Sequence, residues 1–148
     1  MAPLPPEEHL AKVPRFLHGA VGAFRDEAWE TAIHALYYAS LHAALGLLAG
    51  RGVSPGTRAG AVNVLGLHFV KPGLMAAEAG RALPQLATLR HLADYGASIG
   101  TDRGAALEAG RLGLTALDAV LAALPGGTEA VRASVGRLRD AMGAAGRG

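Results

Sequence analysis

Apolar residues recur at spacings of three and four along almost the whole chain, and nowhere do they alternate with a period of two. That pattern predicts amphipathic helices and no strands. A first helix is expected from Pro5–Pro6 to about Phe24. Proline suits a first helical turn, Glu7 and Glu8 suit the positive end of the helix dipole, and Leu10, Val13, Leu17, Val21 and Phe24 make the inward stripe. Pro14 falls inside that stripe and should kink or delay the helix. A second helix is expected to start near Arg25–Asp26, with Asp26 as its cap, and to stop at Gly50. Two adjoining stripes (Trp29, Ile33, Leu36, Ser40, Ala43, Leu47 and Tyr37, Leu41, Ala44, Leu48) leave little of it polar. Such a helix belongs at the centre of a fold or is shared with a partner chain.

Residues 51–57 read as a loop, and Thr57 caps a third helix to about Val70 with Val62, Leu65 and Phe69 inward. Pro72 and Gly73 break the chain. A fourth helix is expected from about Met75 to Tyr95, kinked at Pro84 and stopped by Gly96 as its C′ residue. Thr101, Asp102 and Glu108 open a fifth, whose seam is Leu107, Gly110, Leu114, Leu117, Leu121 and Leu124. Thr128 and Glu129 begin a sixth, with Val131, Val135, Leu138 and Met142 inward and Arg132, Arg137 and Arg139 outward, and the closing GAAGRG should fray. The expectation is an all-α bundle in one domain over residues 1–148, with a core from about 7 to 124 and a C-terminal helix from about 128 to 143.

Composition sharpens this picture. A chain of 148 residues buries roughly two-thirds of its unfolded surface. Half of it is hydrophobic but only 5% aromatic, so alanine and leucine carry the core. Each of the 21 glycines costs about 1 kcal/mol relative to alanine inside a helix. Gly22, Gly46, Gly110 and Gly113 interrupt periodic segments, where close helix–helix approach is the natural reason. The net charge is only +2 although the pI is near 9.4, and 12 of the 14 cations are arginine. That bias can serve phosphate recognition by the planar guanidinium, but in a chain this rich in Ala, Gly and Arg it reads first as biased genomic composition. With no cysteine there is no disulfide framework, zinc knuckle or thiol nucleophile. The longest apolar stretches break well short of the ~20 residues of a membrane span, and MAPLPPEEHL lacks the regions of a signal peptide. A soluble cytoplasmic protein with no membrane association is expected.

The densest chemistry lies in Leu83–Gly96, LPQLATLRHLADYG. On a helix, Arg90 and Asp94 are i,i+4 neighbours, as are His91 and Tyr95. The plain meaning of the first pair is an ion pair worth a few tenths of a kcal/mol. His34, Tyr38 and His42 form an i, i+4, i+8 stripe, but the two histidines stand about 12 Å apart along the axis, too far to share an ion. With no acidic cluster of the di-iron kind, no metal is expected. Ser40, Ser54, Ser98 and Ser134 lack a nucleophile-elbow context, and no glycine-rich phosphate loop follows a strand.

Three blocks resemble the HEPN superfamily of prokaryotic helical-bundle proteins, and more narrowly the small stand-alone HEPN proteins found beside minimal nucleotidyltransferases. They are AIHALYYASLHAALGLLAGRG, with Tyr37, Tyr38, Ala39, His42, Ala43 and Ala44; Phe69-Val70-Lys71-Pro72-Gly73; and Leu89-Arg90-x-x-Ala93-Asp94-Tyr95. The resemblance implies an up-and-down four-helix bundle with additional flanking helices, a homodimer with a cleft around the arginine, a minimal nucleotidyltransferase partner, and no cofactor. Arg90, Asp94 and Tyr95, with Tyr38, His42 and Arg58, make the candidate binding set. Active HEPN ribonucleases carry an Arg followed by four to six residues and a His, and cleave RNA without metal, the His acting as acid or base and the Arg stabilising phosphate charge. None of the six histidines here has an Arg at that spacing. Instead Asp94 stands four after Arg90, and Arg58 follows Thr57 where relatives often have His. Three functions are therefore weighed: a HEPN component of a toxin–antitoxin or defence-type module that binds RNA or nucleotide phosphate with weak or no cleavage; a metal-independent endoribonuclease using Arg90 with His91 or His42; and a non-enzymatic nucleotide-binding or dimeric interaction bundle.

Overall fold

A computed structural model describes residues 3–96 and 101–147. Its helices are α1 (Pro6–Arg25), α2 (Trp29–Ala49), α3 (Arg58–Leu65), α4 (Ala77–Tyr95), α5 (Arg103–Ala123) and α6 (Glu129–Arg147), with a π-helical turn over Gly66–Val70 continuing α3. No strand occurs among the described residues. The protein is an all-α bundle. α2 sits at its centre against α1, α3, α4 and α5, while α6 packs on α1 and α5.

The centrality of α2 follows from its sequence. Ile33, Leu36, Tyr37, Leu41, Leu47 and Leu48 are all buried, as is Ser40, whose hydroxyl donates to the Leu36 carbonyl at 2.8 Å. α2 is also, among the described residues, the one helix long and apolar enough by length and composition to cross a membrane. This corrects the expectation that no stretch reaches that length. Within the bundle, 72% of its apolar window is buried against other helices.

Most helix limits fall within a few residues of expectation, but several local readings change. α1 and α4 run unbroken through Pro14 and Pro84. Asp26 closes α1 rather than capping α2. Its N–H bonds back to the Gly22 carbonyl and the next N–H, of Glu27, to that of Phe24, and α2 begins at Trp29 with no side-chain cap. Thr57 does cap α3, accepting from Gly60 N at 2.9 Å, and Asp102 caps α5, accepting from Ala105 N at 2.8 Å. Gly96 does follow α4, but with extended backbone (φ −82°, ψ 174°) instead of the left-handed C′ conformation. Its role is steric: a Cβ there would lie 2.5 Å from the Leu92 carbonyl oxygen. The final GAAGRG does not fray as expected, for α6 continues through it to Arg147.

The α5 seam is rotated from the expected leucine stripe. Its buried face is Ala106, Ala109, Gly110, Gly113, Ala116, Leu117, Val120 and Leu121, whereas Leu107, Leu114 and Leu124 are half-buried. Small residues win the inner face because neighbours come close. A Cβ on Gly110 would meet the Met142 Cε of α6 at 2.5 Å, and one on Gly113 would meet Leu36 Cδ2 of α2 at 3.4 Å. Gly46 is crowded in the same way by Leu10 of α1, but Gly22 faces open space.

Candidate functional site

Two arginines from different helices converge on one aromatic ring. Tyr37, on α2, is almost fully buried. The Arg90 guanidinium, from α4, lies 5.1 Å from its ring centroid, and that of Arg58, from the start of α3, lies 5.9 Å away. Both distances are within cation–π range. Arg58 also lies 5.1 Å from the Tyr38 ring and donates from Nη2 to the Tyr38 hydroxyl at 2.8 Å. It has no carboxylate partner among the described residues. Burial raises the Tyr37 phenol above its ordinary pKa, and the two guanidiniums oppose that rise, so the ring stays protonated at neutral pH.

The helical spacing of Arg90 and Asp94 places them as read from sequence. Arg90 Nη1 donates to Asp94 Oδ2 at 3.0 Å. Asp94 Oδ1 lies 3.5 Å from His34 Nδ1 on α2, so the carboxylate bridges α4 to α2. The Arg90 side chain is mostly buried, and its Nε–H finds no acceptor. An unmet buried donor costs about 1–3 kcal/mol.

Tyr95 follows on the same helix and is 73% exposed. Its ring lies 5.2 Å from that of His91, which is also exposed. A cavity of about 430 Å³ opens beside Tyr95, lined by Glu30, Thr31, His34, Ala93, Asp94 and Tyr95. A second, of about 350 Å³, opens beside Tyr37 between α3 and α4. Its walls are chiefly apolar (Val62, Leu83, Pro84, Ala87), with Arg58 and Asn63 as its polar lining.

His42 belongs to a different cluster. It stacks on Phe16 with centroids 5.7 Å apart and on His9 at 5.4 Å, and the Nδ1 atoms of the two imidazoles share a hydrogen bond at 3.1 Å. Burial is the main cause that lowers its pKa to about 4, with Lys12 and His9 adding to it, so the ring is neutral at pH 7. Burial first, then Lys12, lowers His9 too. Phe16 also stacks on Tyr38 and His34 packs on Tyr38, so rings line α2 from His34 to His42. No group of three or more metal-ligating side chains gathers among the described residues.

The structure thus brings together Arg90, Asp94, Arg58 and Tyr38, leaves Tyr95 and His91 at the exposed rim, and sets His42 apart. Two participants escaped sequence reasoning. Tyr37 was assigned to the core stripe, which is right about burial, but the same ring is the surface both arginines face. His34 was weighed only as a metal ligand; its approach to Asp94 spans 60 positions and left no local signal.

Comparison with known proteins gives two findings. The HEPN domain family model matches residues 6–112. Over 72 residues, 49% of this chain, the sequence is 33% identical to the putative toxin of Methanocaldococcus jannaschii. The aligned part spans about half (54%) of that curated relative's length.

Proposed function

The chain belongs to the HEPN domain family, and on that premise we propose that it is the HEPN component of a toxin–antitoxin or related defence-type module, holding the phosphate of an RNA or nucleotide in the cleft around Arg90, Asp94 and Tyr95. The relative's name supports the toxin-like part of this reading. The phosphate part is carried by one observation: Arg58 and Arg90 converge on Tyr37, and Arg58 has no carboxylate partner among the described residues. Paired guanidiniums match the forked geometry of phosphate oxygens. Asp94 orients Arg90, and Tyr38 orients Arg58.

The proposed assembly is a homodimer working with a minimal nucleotidyltransferase, the chain forming a single domain. Tyr95 stands at the rim as the acceptor of a nucleotidyl group. Its phenol oxygen would attack the α-phosphorus of a nucleoside triphosphate held by the partner, releasing pyrophosphate and the phenol proton. The site favours binding over cutting. The imidazole of His42, neutral at pH 7, is a poor proton donor and its Nδ1 is engaged by His9, while the ring of His91 packs on Tyr95.

The test is fluorescence anisotropy with a labelled oligoribonucleotide and with nucleotides, at stated salt. Arg58→Gln/Arg90→Gln should weaken binding at least tenfold while leaving the fold intact by circular dichroism; unchanged affinity rejects the cleft. Incubating wild type with RNA in EDTA tests the ribonuclease alternative, which requires cleavage that Arg90→Ala abolishes.

A further inference from the structure

A second group of cations faces a hollow between α1 and α6, on helices other than those that carry Arg58 and Arg90. The hollow measures about 190 Å³, with Leu17, Val21 and Gly22 as its apolar lining and His18, Arg25, Ser134 and Arg137 as its polar one. No lining residue is acidic. Gly22 keeps the space open, since a Cβ there would meet no atom within 4 Å. His18, Gly22 and Arg25 follow one another on one face of α1, and Ser134 and Arg137 are i,i+3 neighbours on α6.

The polar groups are organised rather than scattered. Ser134 is 2% exposed and donates to the Ala130 carbonyl at 2.9 Å. Its oxygen accepts from Arg137 Nη2 at 3.1 Å, tethering the guanidinium by one N–H and leaving the others available. Arg25 and His18 make no hydrogen bond or ion pair among the described residues. Two guanidiniums beside one hollow without a carboxylate gain from a bound anion. Acids do stand beyond Arg25, where Asp26, Glu27 and Asp140 line a separate cavity of about 410 Å³. Arg137 does not line that cavity, so it is the decisive residue. Small-molecule pockets run from about 300 Å³ upward, so this hollow suits one oxyanion rather than a whole nucleoside.

We propose that the α1/α6 hollow is a second, separate anion site that takes a single phosphoryl group, as inorganic phosphate or as the terminal phosphate of a nucleotide. Arg25 and Arg137 grip the oxygens, His18 adds a ring N–H, and Ser134 positions Arg137.

Thermal unfolding of the full chain with inorganic phosphate, against chloride at matched ionic strength, tests this. The measurements use the Arg58→Gln/Arg90→Gln background, which silences the other cleft. There phosphate should raise Tm saturably, and the rise should vanish when Arg25→Gln/Arg137→Gln is added. Adding Gly22→Leu, which fills the hollow, should also lose it, guarding against a general charge effect. AMP and adenosine separate the sources. A saturable AMP response in that background, lost on adding Arg25→Gln/Arg137→Gln, indicates a nucleotide's terminal phosphate, with adenosine silent; a response to phosphate alone indicates the free ion. A chloride-matched rise of equal size, or one that survives the added Arg25→Gln/Arg137→Gln, overturns the site. A rise seen in wild type but absent from the Arg58→Gln/Arg90→Gln background assigns the effect to the other cleft and overturns it too.

Discussion

α2 and α4 are nearly equal in length and pack against each other, yet they do opposite jobs. α2 is buried on almost every side and supplies a rigid aromatic floor in Tyr37, Tyr38 and His34. α4 buries only Ala79, Ala82, Leu83, Leu86 and Ala93, and carries Arg90, Asp94 and Tyr95 toward its exposed C-terminal end beside Leu92. A charge presented by a lightly buried helix keeps its position only if a stiffer element gives it something to lean on. Here the Tyr37 face and His34 serve that purpose. The contrast teaches that stability and candidate chemistry are divided between the two helices.

Core truncation breaks the comparison most forcefully. Leu36→Ala on α2 removes a fully buried side chain packed near Gly113 and should cost about 2–5 kcal/mol in urea unfolding. Leu92→Ala on α4, 55% exposed, should stay within about 0.5 kcal/mol. Equal losses would mean that α4 is as much a part of the core as α2.

Acid probes the His42 imidazole within α2. The folded chain holds His42 near pKa 4, below the ordinary value of 6.5, so the unfolded chain binds more protons between those values. Stability from this ring is complete above about pH 6.5 and is lost as pH falls toward 4. His42→Gln should flatten that part of the stability–pH curve; an unchanged slope assigns the acid sensitivity elsewhere.

Asp94→Asn is the mildest test. It removes the partly exposed pair with Arg90 and the contact with His34, for an expected loss of no more than about 1 kcal/mol, smaller in high salt. A loss above about 2 kcal/mol would place the charged end of α4 among the structural elements alongside α2.

Legibility varied with the distance over which each feature is decided. The Arg90–Asp94 pair and the caps at Thr57 and Asp102 lie within one helical turn, so spacing alone specifies them. The α5 seam misled because hydrophobicity favours leucine, whereas close approach to α2 and α6 selects alanine and glycine on the inner face. Asp26 misled because a residue between two helices can serve the end of one or the start of the next; its backbone bond to the Gly22 carbonyl decides for α1. The meeting of Arg58 with Arg90 over Tyr37 has no local trace, since the three come from α3, α4 and α2.

The amino-acid sequence by itself determined the helical class, the central place of α2 and the ion pair within α4, because periodicity and i,i+4 spacing are properties of a single helix. Only tertiary structure decided which face of α5 is buried, that Tyr37 serves both arginines, that His34 reaches Asp94, and that His42 turns to His9. Those outcomes depend on how helices approach and rotate against one another. That is set by side-chain volumes summed across the whole interface and not by any one segment.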